Sequence, residues 1–250
     1  MNELLKKIYN IGIMPVIALD DPKDAVPLAK ALIQGGIPLA EVTFRTDAAL
    51  ESMRAITAEC PEMLVCAGTV LTPENVDKAV AAGAKLIVTP GLNVNVVKRA
   101  QEGGVPIIPG TSNASDLNTA VELGLSTVKF FPAEINGGVK AIQALAGPYN
   151  KMKFIPTGGV NASNIASYLS CKKVLACGGT WMIKQDLIRE GRFDEITKLA
   201  EQAVLAMLDF RVESVEDGTV TVSTNRLERA EQYLKDHEVA LAASVKLIQR

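Results

Sequence analysis

The sequence predicts an α/β fold, a (β/α)8 TIM barrel with a short C-terminal extension. From residue 13 to about residue 208 one pattern recurs: a short apolar run, a turn, then a helical stretch rich in Ala and Leu. Eight such alternations make a barrel the first choice. No G-x-G-x-x-G follows the first run, which disfavours a doubly wound dinucleotide-binding sheet.

The strand candidates, in order, are residues 13–19, 40–44, 64–68, 85–89, 106–109, 127–131, 153–157 and 174–177. Between them, residues 22–34, 47–59, 73–82, 94–102 and 114–123 read as helices. Asp20-Asp21-Pro22, Thr72-Pro73-Glu74 and Asn161-Ala162-Ser163 supply start signals, because each sets an N-cap side chain or an N1 proline. Gly83, Gly103 and Gly124 stand where C′ glycines end helices.

After Phe210 the composition changes. Residues 211–222 alternate around Glu216-Asp217-Gly218, a hairpin signature. Residues 225–237 read as a charged helix, and residues 238–250 carry no clear pattern. The expected division is residues 1–210 for the barrel and 211–250 for the extension, which is too short for a robust core of its own. It is expected to pack on the barrel, join a partner subunit or stay loosely ordered.

Bulk composition narrows the function classes. Lys and Arg total 26 against 28 Asp and Glu, a net charge of -2, with no basic cluster to bind nucleic acid. The first ten residues are amphipathic and charged rather than a signal peptide, and no stretch approaches a membrane span. A cytoplasmic protein is expected. Cys60, Cys66, Cys171 and Cys177 form no C-x-x-C and read as reduced thiols. The single histidine, His237, lies in the tail, so the barrel has no histidine-based metal site.

Lys129 is the residue most in need of explanation, since it interrupts the apolar run S-T-V-K-F-F-P (126–132). Period two places Thr127, Lys129 and Phe131 on one face of that strand. Poor solvent disfavours an ammonium and leaves a free amine, the form that builds a Schiff base with a carbonyl. Alternatively, Lys129 snorkels out of the strand end or pairs with a buried carboxylate. Lys85 and Lys153 open their strands at the opposite rim, and Lys184 lies past the eighth.

Other polar residues gather at the strands' C-terminal ends, where barrels keep their sites. Glu41 shares inward parity with Thr43 and Arg45 on the second strand. It is either a general acid/base or a buried partner for a cation, and both readings coincide if the cation is Lys129. Glu134, beyond Pro132, is expected to cap the next helix. Arg45 suits a substrate carboxylate, or a surface ion pair. Gly158-Gly159 and Gly178-Gly179 precede helical segments on consecutive strands, which suggests a phosphate cradle of backbone N–H groups at helix starts, or else tight turns.

The motifs E-V-T-F-R-T (41–46), A-G-T-V-L (67–71), T-P-G (89–91), K-F-F-P-A-E (129–134), N-G-G-V-K-A (136–141), P-T-G-G-V (156–160) and G-G-T-W (178–181) resemble the KDPG/KHG aldolases in order and spacing. These are class I aldolases acting on 2-keto-3-deoxy-6-phosphogluconate or 4-hydroxy-2-oxoglutarate. The resemblance implies that Lys129 is the Schiff-base lysine and Glu41 the acid/base. It implies that Arg45 and Thr69 hold the pyruvate-derived carboxylate, with Pro90 and Phe131 lining the pocket. Gly158, Gly159, Gly179 and Thr180 correspond to the phosphate end. A homotrimer acting on a small keto acid with no metal or cofactor is implied as well. The sequence departs from the family pattern at Thr180, where serine is common, at Leu19-Asp20, where many relatives carry a basic residue, and in the loop at 109–113. Other readings are the 6-phosphogalactonate epimer as substrate, or a non-catalytic phosphosugar-binding scaffold.

Overall fold

Strands covered on both faces are buried at every position rather than at every second one, and the first three here are of that kind. β1 (Ile13–Ile17), β2 (Leu39–Thr43) and β3 (Leu64–Gly68) are buried at every position. They are followed by β4 (Leu86–Val88), β5 (Ile107–Ile108), β6 (Gly110–Thr111), β7 (Thr127–Phe130), β8 (Lys153–Pro156) and β9 (Cys177–Gly179). The structure is a computed structural model that describes residues 2–236 and 244–250.

All pairings among these strands are parallel. One sheet runs β5-β4-β3-β2-β1-β9 and a second runs β6-β7-β8. β5 and β6 are halves of one run broken at Pro109, which has no N–H to give a ladder. Its carbonyl still accepts from the Lys129 N–H at 2.9 Å. The first half pairs with β4 and the second with β7, so the chain itself crosses from one sheet to the other. At the other seam, β8 and β9 are linked by the isolated bridges Phe154–Val174 and Thr157–Gly178.

Helices α1 (Glu3–Ile11), α2 (Ala25–Gln34), α3 (Ala49–Glu59), α4 (Pro73–Ala81), α5 (Val94–Glu102), α6 (Ala114–Glu122), α7 (Gly138–Ala146), α8 (Ile165–Leu169), α9 (Gln185–Arg189) and α10 (Phe193–Leu208) complete this α/β unit. The expected caps operate at Thr72, which accepts from the Asn75 N–H, and at Asp21, which starts a 3-10 turn ahead of α2. Asn161 does not cap α8. Its side chain accepts from Ser163 two residues on, a local turn, and the helix begins only at Ile165. After α5 the left-handed residue is Gly104 rather than Gly103. The eighth strand also differs from expectation: its paired residues are Cys177–Gly179, alongside Ile13–Pro15 of β1, and Val174 forms only a bridge. The two glycines extend the strand because they tolerate close neighbours. A Cβ on Gly178 would lie 2.2 Å from the Thr157 Oγ1. All four cysteines are buried free thiols.

Residues 211–250 contribute β10 (Arg211–Glu216), β11 (Thr219–Thr224), α11 (Leu227–Asp236) and β12 (Val245–Gln249), with sheet order β10-β11-β12. Asp217 and Gly218 both have positive φ, the primed turn that the Asp-Gly signature predicts. His237 lies outside the described residues. Of the three expectations for this segment, packing on the preceding fold is the one observed. Thr224 Oγ1 donates to the Leu208 carbonyl at 2.7 Å, and an Arg229 N–H donates to the Gly36 carbonyl at 2.7 Å. Arg226 is buried, with its guanidinium 4.0 Å from the Tyr9 ring centroid, and it donates to the Tyr9 hydroxyl and to the Leu175 carbonyl. Burial holds this guanidinium below its ordinary pKa.

Arg226 is therefore the anchor of the C-terminal segment. Arg226→Ala is expected to cost about 2 kcal/mol, a fall in Tm of roughly 4–8 °C for a chain of this size. Differential scanning calorimetry measures it, and an unchanged Tm would show that the segment is held by something else.

Candidate active site

Two opposite charges meet inside the apolar interior. Glu41 is 1% and Lys129 5% exposed, and the Lys129 Nζ donates to Glu41 Oε1 at 3.1 Å. They are 88 residues apart in sequence and come from different sheets, β2 and β7. Register explains how they meet. Glu41 is level with Val16 of β1 and Cys66 of β3, while Lys129 is level with Gly110 of β6 and Ile155 of β8. A buried cation is tolerable only with such a partner.

The surroundings are shaped to admit the pair. A Cβ on Gly68 would stand 2.5 Å from Glu41 Oε1, so the glycine at the end of β3 leaves room for the carboxylate. Gly110 packs against the Pro90 carbonyl, where a Cβ would come within 2.1 Å. Nearby hydroxyls are committed to the backbone. Thr43 donates to the Ile17 carbonyl at 2.7 Å, Thr89 to Gly91 at 2.6 Å, and Thr111 to the Lys129 carbonyl at 3.1 Å. Burial, together with the charge of Glu41, pushes the Cys66 thiol well above its ordinary pKa and keeps it protonated. Lys129 is the buried amine of this cluster. Its Nζ lies 5.3 Å from the Phe131 ring centroid.

Several buried polar atoms have no hydrogen-bond partner among the described residues, and Glu41 Oε2, Thr157 Oγ1 and Trp181 Nε1, which packs on Gly179, are among them. Glu41 holds the lysine with one oxygen and leaves the other uncommitted. Unpaired buried acceptors are costly, so they mark places where a ligand or water completes the bonding.

The other sequence candidates are distributed less simply. Arg45 is exposed in the turn after β2 rather than inward on the strand, since β2 ends at Thr43. It makes no ion pair or side-chain hydrogen bond among the described residues, and it lines a depression of about 280 Å³ with Phe44, Thr46 and Asp47. Thr69 is half-buried in a strained left-handed conformation, φ 56°, directly after Gly68. Pro90 and Phe131 are half-buried at the ends of their runs.

The two glycine pairs are not alike, and neither opens a helix. Helices α8 and α9 begin only at Ile165 and Gln185. Gly158 and Gly159 both have positive φ and form a turn packed against Pro132 and Glu134. Gly179 is buried in β9, with Trp181 where its Cβ would be, and Thr180 is exposed beside it. Close packing accounts for each glycine, because chains cross here with no space for side chains.

Glu134 does not cap α7, whose first turn has no side-chain cap. It accepts a hydrogen bond from the Tyr168 hydroxyl, while its N–H donates to the Gly158 carbonyl at 3.1 Å. Burial and the Glu134 carboxylate raise the Tyr168 pKa, so the phenol remains a donor. Sequence reading gave no role to Tyr168, which lies 34 residues from its partner and carries no local signal. The Thr157 hydroxyl had a signal that went unused, its strand-end position one residue before the glycine pair. Among the described residues, no group of three His, Cys, Asp or Glu side chains is arranged to hold a metal, and no helix is long and apolar enough to cross a membrane.

The family model described as KDPG and KHG aldolase matches residues 4–199. A 2-dehydro-3-deoxy-phosphogluconate aldolase of Treponema pallidum is 47% identical over 204 residues, 82% of this chain and 97% of that protein. The KHG/KDPG aldolase of Escherichia coli K12 is 47% identical over 192 residues, 77% of this chain and 90% of that protein. A solved structure of KDPG aldolase from Legionella pneumophila, with pyruvate captured as a covalent carbinolamine intermediate, superposes with TM-score 0.77 at 34% identity, covering 80% of this chain and 97% of that one. Residues 200–250 lie outside the family match. A buried lysine–glutamate pair on parallel strands and these likenesses agree: the chain belongs to the KDPG/KHG aldolase family, class I Schiff-base lyases.

Proposed function

We propose that this enzyme cleaves 2-keto-3-deoxy-6-phosphogluconate reversibly to pyruvate and glyceraldehyde 3-phosphate through a Schiff base on Lys129. The observation that carries the reading is the buried Lys129 Nζ held 3.1 Å from Glu41 Oε1, with Glu41 Oε2 uncommitted. The Legionella relative holds pyruvate as a carbinolamine, the adduct that such an amine forms with a 2-keto acid. A second substrate, 4-hydroxy-2-oxoglutarate, is favoured by the name of the Escherichia coli relative, KHG/KDPG aldolase.

The chemistry follows from the pair. Lys129 gives its proton to solvent, the resulting amine attacks the C2 ketone, and the carbinolamine loses water to give an iminium. Glu41 accepts the C4 hydroxyl proton as the C3–C4 bond breaks, and the bond electrons pass into the iminium to form an enamine. The aldehyde leaves. Protonation of the enamine at C3, again from Glu41, regenerates the iminium, and hydrolysis frees pyruvate and the amine. Because Glu41 holds the lysine with one oxygen, the other reaches the substrate without releasing it.

The remaining assignments are part of the same proposal. Arg45 and Thr69 hold the substrate carboxylate, and the exposed, unpaired guanidinium in the loop after β2 supports this. Pro90 and Phe131 line the pocket, and Gly158, Gly159, Gly179 and Thr180 form the distal phosphate end, where backbone amides and the exposed Thr180 hydroxyl are the available donors. The nine strands close into a (β/α)8 barrel of residues 1–210. The two bridges between β8 and β9, the Pro109 crossover and the Glu41–Lys129 contact across the interior all support closure. Residues 211–250 are a separate extension. The enzyme is a cytoplasmic homotrimer, in keeping with its family resemblance and with exposed aliphatic side chains at Leu71 (54%) and Ile135 (85%) on loops beyond β3 and β7.

Three experiments test this. Borohydride reduction in the presence of pyruvate is expected to add a stable mass to the peptide containing Lys129, and labelling of a different lysine, or of none, sinks the Schiff base. Glu41→Gln is expected to lower kcat by about 10²–10⁴-fold while pyruvate trapping persists; a kcat within a few-fold of the parent removes Glu41 from the chemistry. Gly68→Ala drives a methyl into Glu41 Oε1 and is expected to lower kcat/KM on the order of 10²-fold, with a far smaller effect on urea unfolding.

A further inference from the structure

The strand β10 is paired on one side only. Among the described residues its single neighbour is β11, which leaves one edge open. Unprotected edges are templates for another strand. What such an edge accepts is decided by its side chains.

The sequence of β10 is R-V-E-S-V-E, and its ladder with β11 is broken by a bulge between Val212 and Ser214. An uninterrupted strand would put Val212 and Val215, three residues apart, on opposite faces. The bulge inserts one extra residue and restores them to the same face, Val212 opposite Val222 and Val215 opposite Val220. Val220 and Val222 are in turn level with Val245 and Leu247 of β12. One face of this sheet is therefore six aliphatic side chains, none of them buried. The two on the open edge are the most exposed, Val212 at 65% and Val215 at 68%.

The same bulge makes the edge complementary to itself. If two copies of β10 lie antiparallel about a two-fold axis between residues 213 and 214, Val212 of each copy meets Val215 of the other. In that register Arg211 of each meets Glu216 of the other, twice over. Opposite charges directly across an antiparallel pair are favourable and like charges unfavourable. An isologous contact of this kind requires every residue on one side to find its match on the other, and β10 satisfies that at both valines and both charges.

We propose that the β10 edge docks a second copy of this chain, pairing antiparallel about a two-fold axis and joining two apolar sheet faces into one. The contact adds a two-fold axis to whatever assembly the barrel itself forms; where that axis meets a three-fold at right angles, a trimer closes into a hexamer. It does not rest on the aldolase reading, since none of its residues belongs to the site.

Sedimentation velocity on the full chain tests it. Wild type is expected to sediment at twice the mass of Val215→Lys, with equal aldolase activity in the two as the check on folding. Glu216→Arg and Arg211→Glu place like charges opposite each other, and each is expected to associate roughly tenfold more weakly than wild type. Mixing these two variants places Arg opposite Glu at both positions again, and the doubled mass is expected to return. Equal masses for wild type and Val215→Lys overturn the proposal. A mixture that associates no better than its components does the same.

Discussion

Taking two opposite charges out of water costs several kcal/mol per ion unless they find each other at hydrogen-bond distance. Lys129 and Glu41 do so at 3.1 Å, and much of the surrounding structure serves that contact. The strands on either side must be apolar and short. Gly68 must lack a side chain, and the neighbouring threonines must spend their hydroxyls on carbonyls so that they do not compete. A buried ion pair of this kind contributes little net stability compared with an apolar pair of the same shape. Such a pair is kept for something other than stability, and its place at the strand ends, with one carboxylate oxygen uncommitted, is what the proposed chemistry would use.

Glycine at the open ends of the strands has a second use. The pairs at 158–159 and 178–179 resemble a ligand cradle in sequence. In space each glycine is first a place where two chain segments pass with no room between them, against Glu134, Thr157 and Trp181. These uses are compatible, because a backbone stripped of side chains for packing also exposes its amides to a ligand on the open side. The Tyr168 hydroxyl bound to Glu134 ties α8 to the loop that follows β7.

Residues 211–250 add a second layer of organisation beyond the family match. Their attachment rests on Arg226, whose guanidinium is sunk against Tyr9 and the carbonyl of Leu175. Among the described residues no carboxylate pairs with it. A ring face and carbonyl oxygens are sufficient for a delocalised cation that sheds its water easily. The hairpin beyond presents Val212 and Val215 outward.

Much of this was legible in the sequence, since local chemistry encodes it. Apolar runs marked the strands to within a few residues, Thr72 and Asp21 marked helix starts, and Asp217-Gly218 marked a hairpin, because torsional preference and capping act within a few residues. Lys129 stood out because a charge inside an apolar strand needs a partner; parity made Glu41 one candidate, and the 3.1 Å contact is the structure's. What the sequence left open depended on distance in space. It could not show that Arg45 falls in a turn just beyond β2, that the eighth strand shifts to Cys177–Gly179, or that Glu134 turns to Tyr168 instead of capping α7. It could not choose among three fates for the C-terminal segment either. Each of these depends on which remote surface approaches, and only tertiary packing brings residues tens of positions apart within hydrogen-bond range.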